Sequence, residues 1–197
     1  MALSASFSVW ALWAVSWMIA AVWSSRAAAR APSGEHLVHW VLTVSGFVLL
    51  FSGLGPRHLN RYAWLHAYSS PSADGPLQWS MFALVVAGCA FAWWARIHLG
   101  ALWSGTVTRK ADHRIVDTGP YRFVRHPIYT GIIAASIGLA AQEGSLRGWL
   151  GAALIAVGYW VKGGLEERFL RQELGPDDYD AYRARTPMLV PFLRFPA

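Results

Sequence analysis

Apolar positions in this chain run unbroken and do not alternate with polar ones at a helical or strand period. Residues 1–25, 37–56 and 77–95 contain no Asp, Glu, Lys or Arg. Each run approaches the roughly 20 residues that carry a helix across a bilayer core. A core helix of a soluble domain would show a polar face every third or fourth position, and these do not. Two shorter apolar runs, residues 127–142 and 148–161, flank Gly144-Ser145-Leu146-Arg147-Gly148, which is turn material. Together they predict a tight helical hairpin whose helices approach closely at Gly131, Gly138, Gly151 and Gly158. The pattern predicts an all-α, polytopic integral membrane bundle of about five transmembrane helices with a C-terminal hairpin.

Composition agrees with this reading. Hydrophobic residues make up 55% of the chain and charged residues 14%, well below the quarter usual for soluble domains. The first run has no basic start and no clear cleavage site, so it reads as a span and not as a signal peptide. Five spans would place segments 26–36, 96–126 and 162–197 on one side, and these hold 14 of the 17 Lys and Arg residues. Basic loops stay in the cytoplasm. The expectation is therefore an N-terminus outside, a cytoplasmic C-terminus and an inner bacterial membrane. The net charge of +6 fits anionic lipid headgroups and needs no nucleic acid. Trp23, Trp40, Trp79, Trp94, Trp149 and Trp160 lie near span ends, where such rings anchor at the interface. The single cysteine, Cys89, falls inside the third run and reads as packing. His36 and His39 open the second run, and no cluster of ligands accompanies them, so they read as interfacial histidines and no metal is expected.

Candidate chemistry concentrates in the second half, and residues 1–95 read as scaffold before a core of 96–197. In "GPYRFVRHPIYTG", Pro120 and Pro127 shape a loop, and Pro127 suits the first turn of a helix. That puts Arg125 and His126 at a helix N-terminus, where amides and the dipole favour an anionic ligand. In "VKGGLEERFLRQELG", Glu166 and Glu167 arrive one turn past the fifth run, with Lys162 four residues before Glu166 on the same face. Gly175-Pro176 is a helix stop. Taken alone, the basic cluster is equally a topological anchor, and the glutamates a solvated helix face.

These elements, "LGALWS", "HRIVDTGPYRFVRHPIYTG" and "EERFLRQELGPDDYDAYRARTPMLVPF", resemble the isoprenylcysteine carboxyl methyltransferase family and its phospholipid-methylating relatives. The resemblance implies a membrane-embedded enzyme using S-adenosyl-L-methionine, with cytoplasmic cofactor-binding loops and a lipophilic or lipid acceptor entering from the bilayer. It implies that His113, Arg114, Ile115, Val116, Tyr121, His126, Pro127, Ile128, Tyr129 and Glu166 line the cofactor. Arg125, Glu167 and Lys162 would serve the reaction, with Lys162 standing where the family usually has an arginine. O-methylation of a carboxylate or a phenolic lipid is the first expectation, and N- or S-methylation the alternative. A membrane reductase using NADPH, which shares a related R-H-P-x-Y hairpin, and a non-enzymatic membrane subunit are the rivals of a different class.

Overall fold

The computed structural model describes residues 1–20, 27–30, 36–52, 75–100, 103, 108–110 and 115–193. Six α-helices account for most of them: α1 (Ala2–Ile19), α2 (Leu37–Phe51), α3 (Pro76–Leu99), α4 (Pro127–Glu143), α5 (Leu146–Leu174) and α6 (Pro176–Arg185). Of these, α1 and α3 are long and apolar enough to cross a membrane, and α2 is apolar but shorter. Their outward positions are greasy: Leu12, Val15 and Met18 on α1, Leu37, Val41 and Val48 on α2, Ile97 on α3 are all exposed. Such a surface suits hydrocarbon and would be a liability in water.

The helices start and stop where local chemistry dictates. Pro76, Pro127 and Pro176 each open a helix, where a missing N–H leaves no bond unmade. Ser145 caps α5 by accepting from the Gly148 amide at 3.0 Å. The turn between α4 and α5 is thus only Gly144 and Ser145, and Leu146 to Gly148 are already helical, a correction to the broader turn expected. The fifth apolar run ends at Val161, yet α5 continues three more turns to Leu174 and carries Lys162, Glu166 and Glu167 on one rigid rod. Gly175 (φ 97°) then breaks the helix.

The purely helical expectation needs one amendment. A short antiparallel pair joins β1 (Ala27–Arg30) to β2 (Thr108–Lys110), with Arg30 opposite Thr108. These strands come from two of the basic segments, so both segments meet at the same end of the bundle.

The glycines do allow close approach, but with partners other than those expected. A Cβ on Gly88 would lie 2.5 Å from the Gly131 carbonyl oxygen, so α3 and α4 touch backbone to backbone. A Cβ on Gly46 would lie 2.8 Å from the Gly151 carbonyl oxygen, and Gly158 sits against Thr43. Hence α4 packs chiefly along α3, and α5 along α2. The spacing of small residues marks a contact face without naming its partner.

The tryptophans divide into an exposed and an inward-facing set. Trp40, Trp79, Trp94 and Trp149 are exposed toward helix ends as anchors should be, Trp160 is exposed in the middle of α5 where the fifth apolar run stops, and Trp23 lies outside the described residues. Trp10, Trp13 and Trp17, spaced along one face of α1, instead stack inward with Phe47, Phe51, Trp93 and Trp103. Arg96 is buried among them, its guanidinium 3.5 Å from the Trp103 ring centre and 4.6 Å from that of Trp17. It donates to the Ala20 carbonyl at 2.5 Å and so closes the C-terminus of α1. Cys89 is buried and free, as packing requires.

Candidate active site

The site forms where the start of α4, the extension of α5 and the C-terminal tail converge. His126 caps α4 with its ring between two carboxylates: Nδ1 stands 3.5 Å from Glu166 Oε2, and Nε2 is 3.1 Å from Glu167 Oε1. A carboxylate only accepts, so Nε2 donates to Glu167, and a second carboxylate beside Nδ1 favours the imidazole as its cation. Burial alone would lower the affinity of His126 for its proton; the two glutamates outweigh it and raise the pKa above 6.5. The glutamates shift the opposite way. Burial opposes ionisation of Glu167, but hydrogen bonds from His126 and Arg125 hold its pKa down to about 2. Burial likewise opposes ionisation of Glu166, and the bond from His126 and the charge of Lys162 lower it nonetheless.

Around this core the aromatic residues form a stack. The Tyr129 ring lies parallel to His126 (5.3 Å between centres, 6°) and against Tyr159 on α5 (4.6 Å, 24°). Its hydroxyl donates to Glu166 Oε1 at 2.7 Å. Lys162 completes the group, with Nζ 4.0 Å from Glu166 Oε1 and 5.2 Å from the centre of the Tyr129 ring. The sequence placed Lys162, Glu166, Tyr129 and His126 in one site, and the fold brings them into contact.

Arg125 has a different position from the one its sequence context suggested. Its guanidinium donates to both oxygens of Glu167, at 2.8 and 3.1 Å, and to the carbonyls of Arg183 and Thr186. The amides of Arg125 and His126 donate to the carbonyls of Pro187 and Met188 at 2.9 and 3.1 Å, and the Thr130 hydroxyl to Leu189 at 2.6 Å. The tail therefore takes the amides of Arg125 and His126, just ahead of the first turn of α4. A Cβ on Gly163 would meet Met188 Cε at 2.5 Å, so α5 carries glycine where the tail crosses it.

Tyr121 is buried in a 3-10 turn of residues 119–122. Its ring faces His98 of α3 at 6.3 Å, and its carbonyl accepts from Tyr182 of α6. Gly119 adopts φ 57°, and a Cβ there would be 2.7 Å from the His98 ring. Ile115 and Val116 lead into this turn half-buried, and Pro127 and Ile128 are buried at the head of α4. His113 and Arg114 lie outside the described residues. Tyr159, Tyr182, His98 and the tail carbonyls were missed in the sequence. Tyr159 could have been found, since it follows Gly158 one turn before Lys162; main-chain acceptors carry no residue signature.

The model of the isoprenylcysteine carboxyl methyltransferase (ICMT) family matches residues 81–146. Methanethiol S-methyltransferase 1 of Bradyrhizobium diazoefficiens is 42% identical over 74 residues, 38% of this chain and 25% of that protein. Protein-S-isoprenylcysteine O-methyltransferase B of Arabidopsis thaliana is 32% identical over 91 residues, 44% of each chain. The chain spans less than half the length of these curated relatives. The family match ends before Lys162, Glu166 and Glu167, so the carboxylate half of the site lies beyond it. Over residues 81–146, from within α3 to the first residue of α5, the chain carries the sequence pattern of the isoprenylcysteine carboxyl methyltransferase family.

Proposed function

We propose that this chain is an integral membrane methyltransferase that takes a methyl group from S-adenosylmethionine and gives it to a lipophilic acceptor arriving from the bilayer. In this reading it has five spans, an outer N-terminus and a cytoplasmic tail in a bacterial inner membrane, and residues 96–197 form its catalytic core. The observation that carries the reading is the buried Glu166 carboxylate, fixed by His126, Tyr129 and Lys162 beside parallel aromatic rings.

The donor set fits the cofactor. A carboxylate and the faces of Tyr129, Tyr159 and Tyr121 attract cationic groups, and the cofactor carries an ammonium and a sulfonium. Glu166, His126, Tyr129 and Tyr121 would hold it, with Ile115, Val116, Pro127 and Ile128 as apolar wall, and His113 and Arg114 would line it as the resemblance implies. When bound, it supplies an electrophilic methyl group to an in-line nucleophile. The protein's task is then to bring that nucleophile within about 3–3.5 Å in a dry site. Arg125 and Glu167 do so at one remove, by tying the tail and His126 in place.

Lys162 bears on the acceptor. Its ammonium is a compact point charge without the planar fork that grips both oxygens of a carboxylate. It suits a nucleophile bearing its charge on one atom, a thiolate or a phenolate. One relative is named for a thiol and the other for a prenylated cysteine, and both acceptors are lipophilic or small.

Calorimetry of the purified protein with S-adenosylhomocysteine tests the reading. Binding is expected for the native chain and lost in Glu166→Ala and His126→Ala, both still inserted in membranes. Equal affinity in all three, or binding of NADPH in place of S-adenosylhomocysteine, would overturn it.

A further inference from the structure

The C-terminal tail becomes more exposed and more apolar as it leaves the candidate site. Thr186 is buried, and Pro187, Met188 and Leu189 are half-buried. Val190, Phe192 and Leu193 then stand 47%, 94% and 50% exposed. Three bare apolar side chains within four residues form one patch, which a loop in water seldom shows. The turn that presents them is strained as well. The Leu193 amide donates to the Val190 carbonyl at 3.2 Å, with Pro191 and Phe192 at the centre. Phe192 takes φ 67°, the only non-glycine among the described residues with a positive φ. Such a turn position favours Gly or Asn, and strain of this kind persists where the side chain has a use.

The path of the tail shows where that ring goes. The Thr186 carbonyl meets the Arg125 side chain, Pro187 the Arg125 amide, Met188 the His126 amide and Leu189 the Thr130 hydroxyl. Each step follows α4 from the preceding loop into its first apolar turn, so the tail runs toward the membrane. A second marker agrees. Met188 crosses α5 at Gly163, one turn past Trp160, whose exposed ring stands at the end of the fifth apolar run. Tryptophans in that position mark the membrane interface. Residues 186–193 carry no charge and lie between Arg185 and Arg194, basic flanks that suit anionic headgroups.

We propose that the Val190–Leu193 turn is an interfacial anchor whose apolar side chains insert between the headgroups and acyl chains of the cytoplasmic leaflet. The partner is the lipid surface, and its grip holds the tail across the candidate site. This rests on the membrane-spanning part of the reading above, and not on the cofactor or the acceptor. The anchored strand supplies the carbonyls that the Arg125 and His126 amides donate to. Losing the lipid contact therefore loosens the backbone that positions both residues.

The test uses the full chain in vesicles of phosphatidylethanolamine and phosphatidylglycerol. Cys89→Ala removes the one native thiol. A nitroxide is then attached at Phe192→Cys, at Leu12→Cys on the exposed side of α1, or at Asp178→Cys on the exposed side of α6. Power saturation compares collisions with oxygen, which concentrates in lipid, and with a nickel chelate, which stays in water. The label at position 192 should favour oxygen as the one at position 12 does, while that at position 178 favours nickel. A label at 192 that behaves like the one at 178 would overturn the proposal. Nickel access at position 12 as well would reject the membrane reading itself. Hydrogen exchange checks the consequence. In Phe192→Asp the Arg125 and His126 amides should exchange about five- to tenfold faster, the worth of roughly half a buried phenyl ring. In Phe192→Leu, still apolar, they should stay near the native rate. Native exchange in Phe192→Asp, or equal loosening in Phe192→Leu, would show that lipid does not hold the tail and would likewise overturn the anchor.

Discussion

The Arg125 guanidinium and the Glu167 carboxylate meet in two parallel hydrogen bonds, at 2.8 and 3.1 Å, with both side chains about nine-tenths buried. The pair joins the loop before α4 to the extension of α5, and through the carbonyls of Arg183 and Thr186 it also holds the tail. Removing one partner leaves the other charged and buried, a change that costs about 3–5 kcal/mol. Arg125→Ala should therefore lower the melting temperature sharply and expose the tail to protease near residues 186–189. The double variant Arg125→Met with Glu167→Leu should recover part of that loss, because neither member of the pair is left charged without the other, and His126 keeps Glu166. A double variant as unstable as the sum of the singles would refute the coupling.

The same cluster sets a pH window. His126 has a folded pKa above its ordinary 6.5, so its stabilisation is full below 6.5 and disappears as pH rises through the folded value. Glu167 has a folded pKa near 2 against an ordinary 4.5, so its stabilisation is full above 4.5 and is lost as pH falls toward 2. Stability against heat should thus be greatest between about pH 4.5 and 6.5, the ordinary values of the two groups, and decline on both sides. In His126→Gln the alkaline decline should be absent, which melting curves across pH would show. An unchanged alkaline limb would mean that His126 is neutral in the fold.

How much of this was legible in the sequence depends on what fixes each feature. The apolar runs were legible because a bilayer requires about 20 such residues whatever surrounds them. Pro127, His126 and the Gly175-Pro176 stop were legible because local backbone chemistry alone decides them. The length of α5 was not: the apolar run stops at Val161, but helix propensity and the Lys162–Glu166 pair carry the rod onward. Nor were the partners of the glycines, since small residues mark a face without saying which helix covers it. The locking of Arg125 was hidden for a third reason, that its acceptors are main-chain carbonyls of the tail. The burial of His39, expected at the interface, was hidden because nothing in the sequence brings α2 against α5.

Glycine packing makes the third prediction. Gly131 faces the Gly88 backbone directly, and a methyl group there has no room unless α3 and α4 separate. Overpacking of this kind costs about 1–3 kcal/mol. Gly164, two residues before Glu166, has nothing within 4 Å of a would-be Cβ. There the alanine gains helix propensity, about 0.8–1 kcal/mol. Gly131→Ala should lower the melting temperature and Gly164→Ala should raise it, though both add one methyl to a helical glycine. Shifts of the same sign would show that the α3–α4 contact is looser than the geometry indicates.

Lys162 makes the last. Its Nζ lies 4.0 Å from Glu166 and beside the Tyr129 ring, where a single ammonium fits one charged atom of an acceptor. Arginine at this position would present two parallel N–H groups, the geometry that matches a carboxylate. Hydrogen bonds to charged groups are worth about 1.5–3 kcal/mol, which corresponds to roughly 10–100-fold in rate ratio. In Lys162→Arg, the ratio of kcat/KM for a prenylcysteine carboxylate to that for an alkanethiol should rise by about that factor. Lys162→Met should depress turnover on both acceptors while leaving S-adenosylhomocysteine affinity within about threefold, because the aromatic rings and Glu166 remain. An unchanged ratio in Lys162→Arg would remove Lys162 from the acceptor's surroundings and reduce it to an ion-pair partner of Glu166.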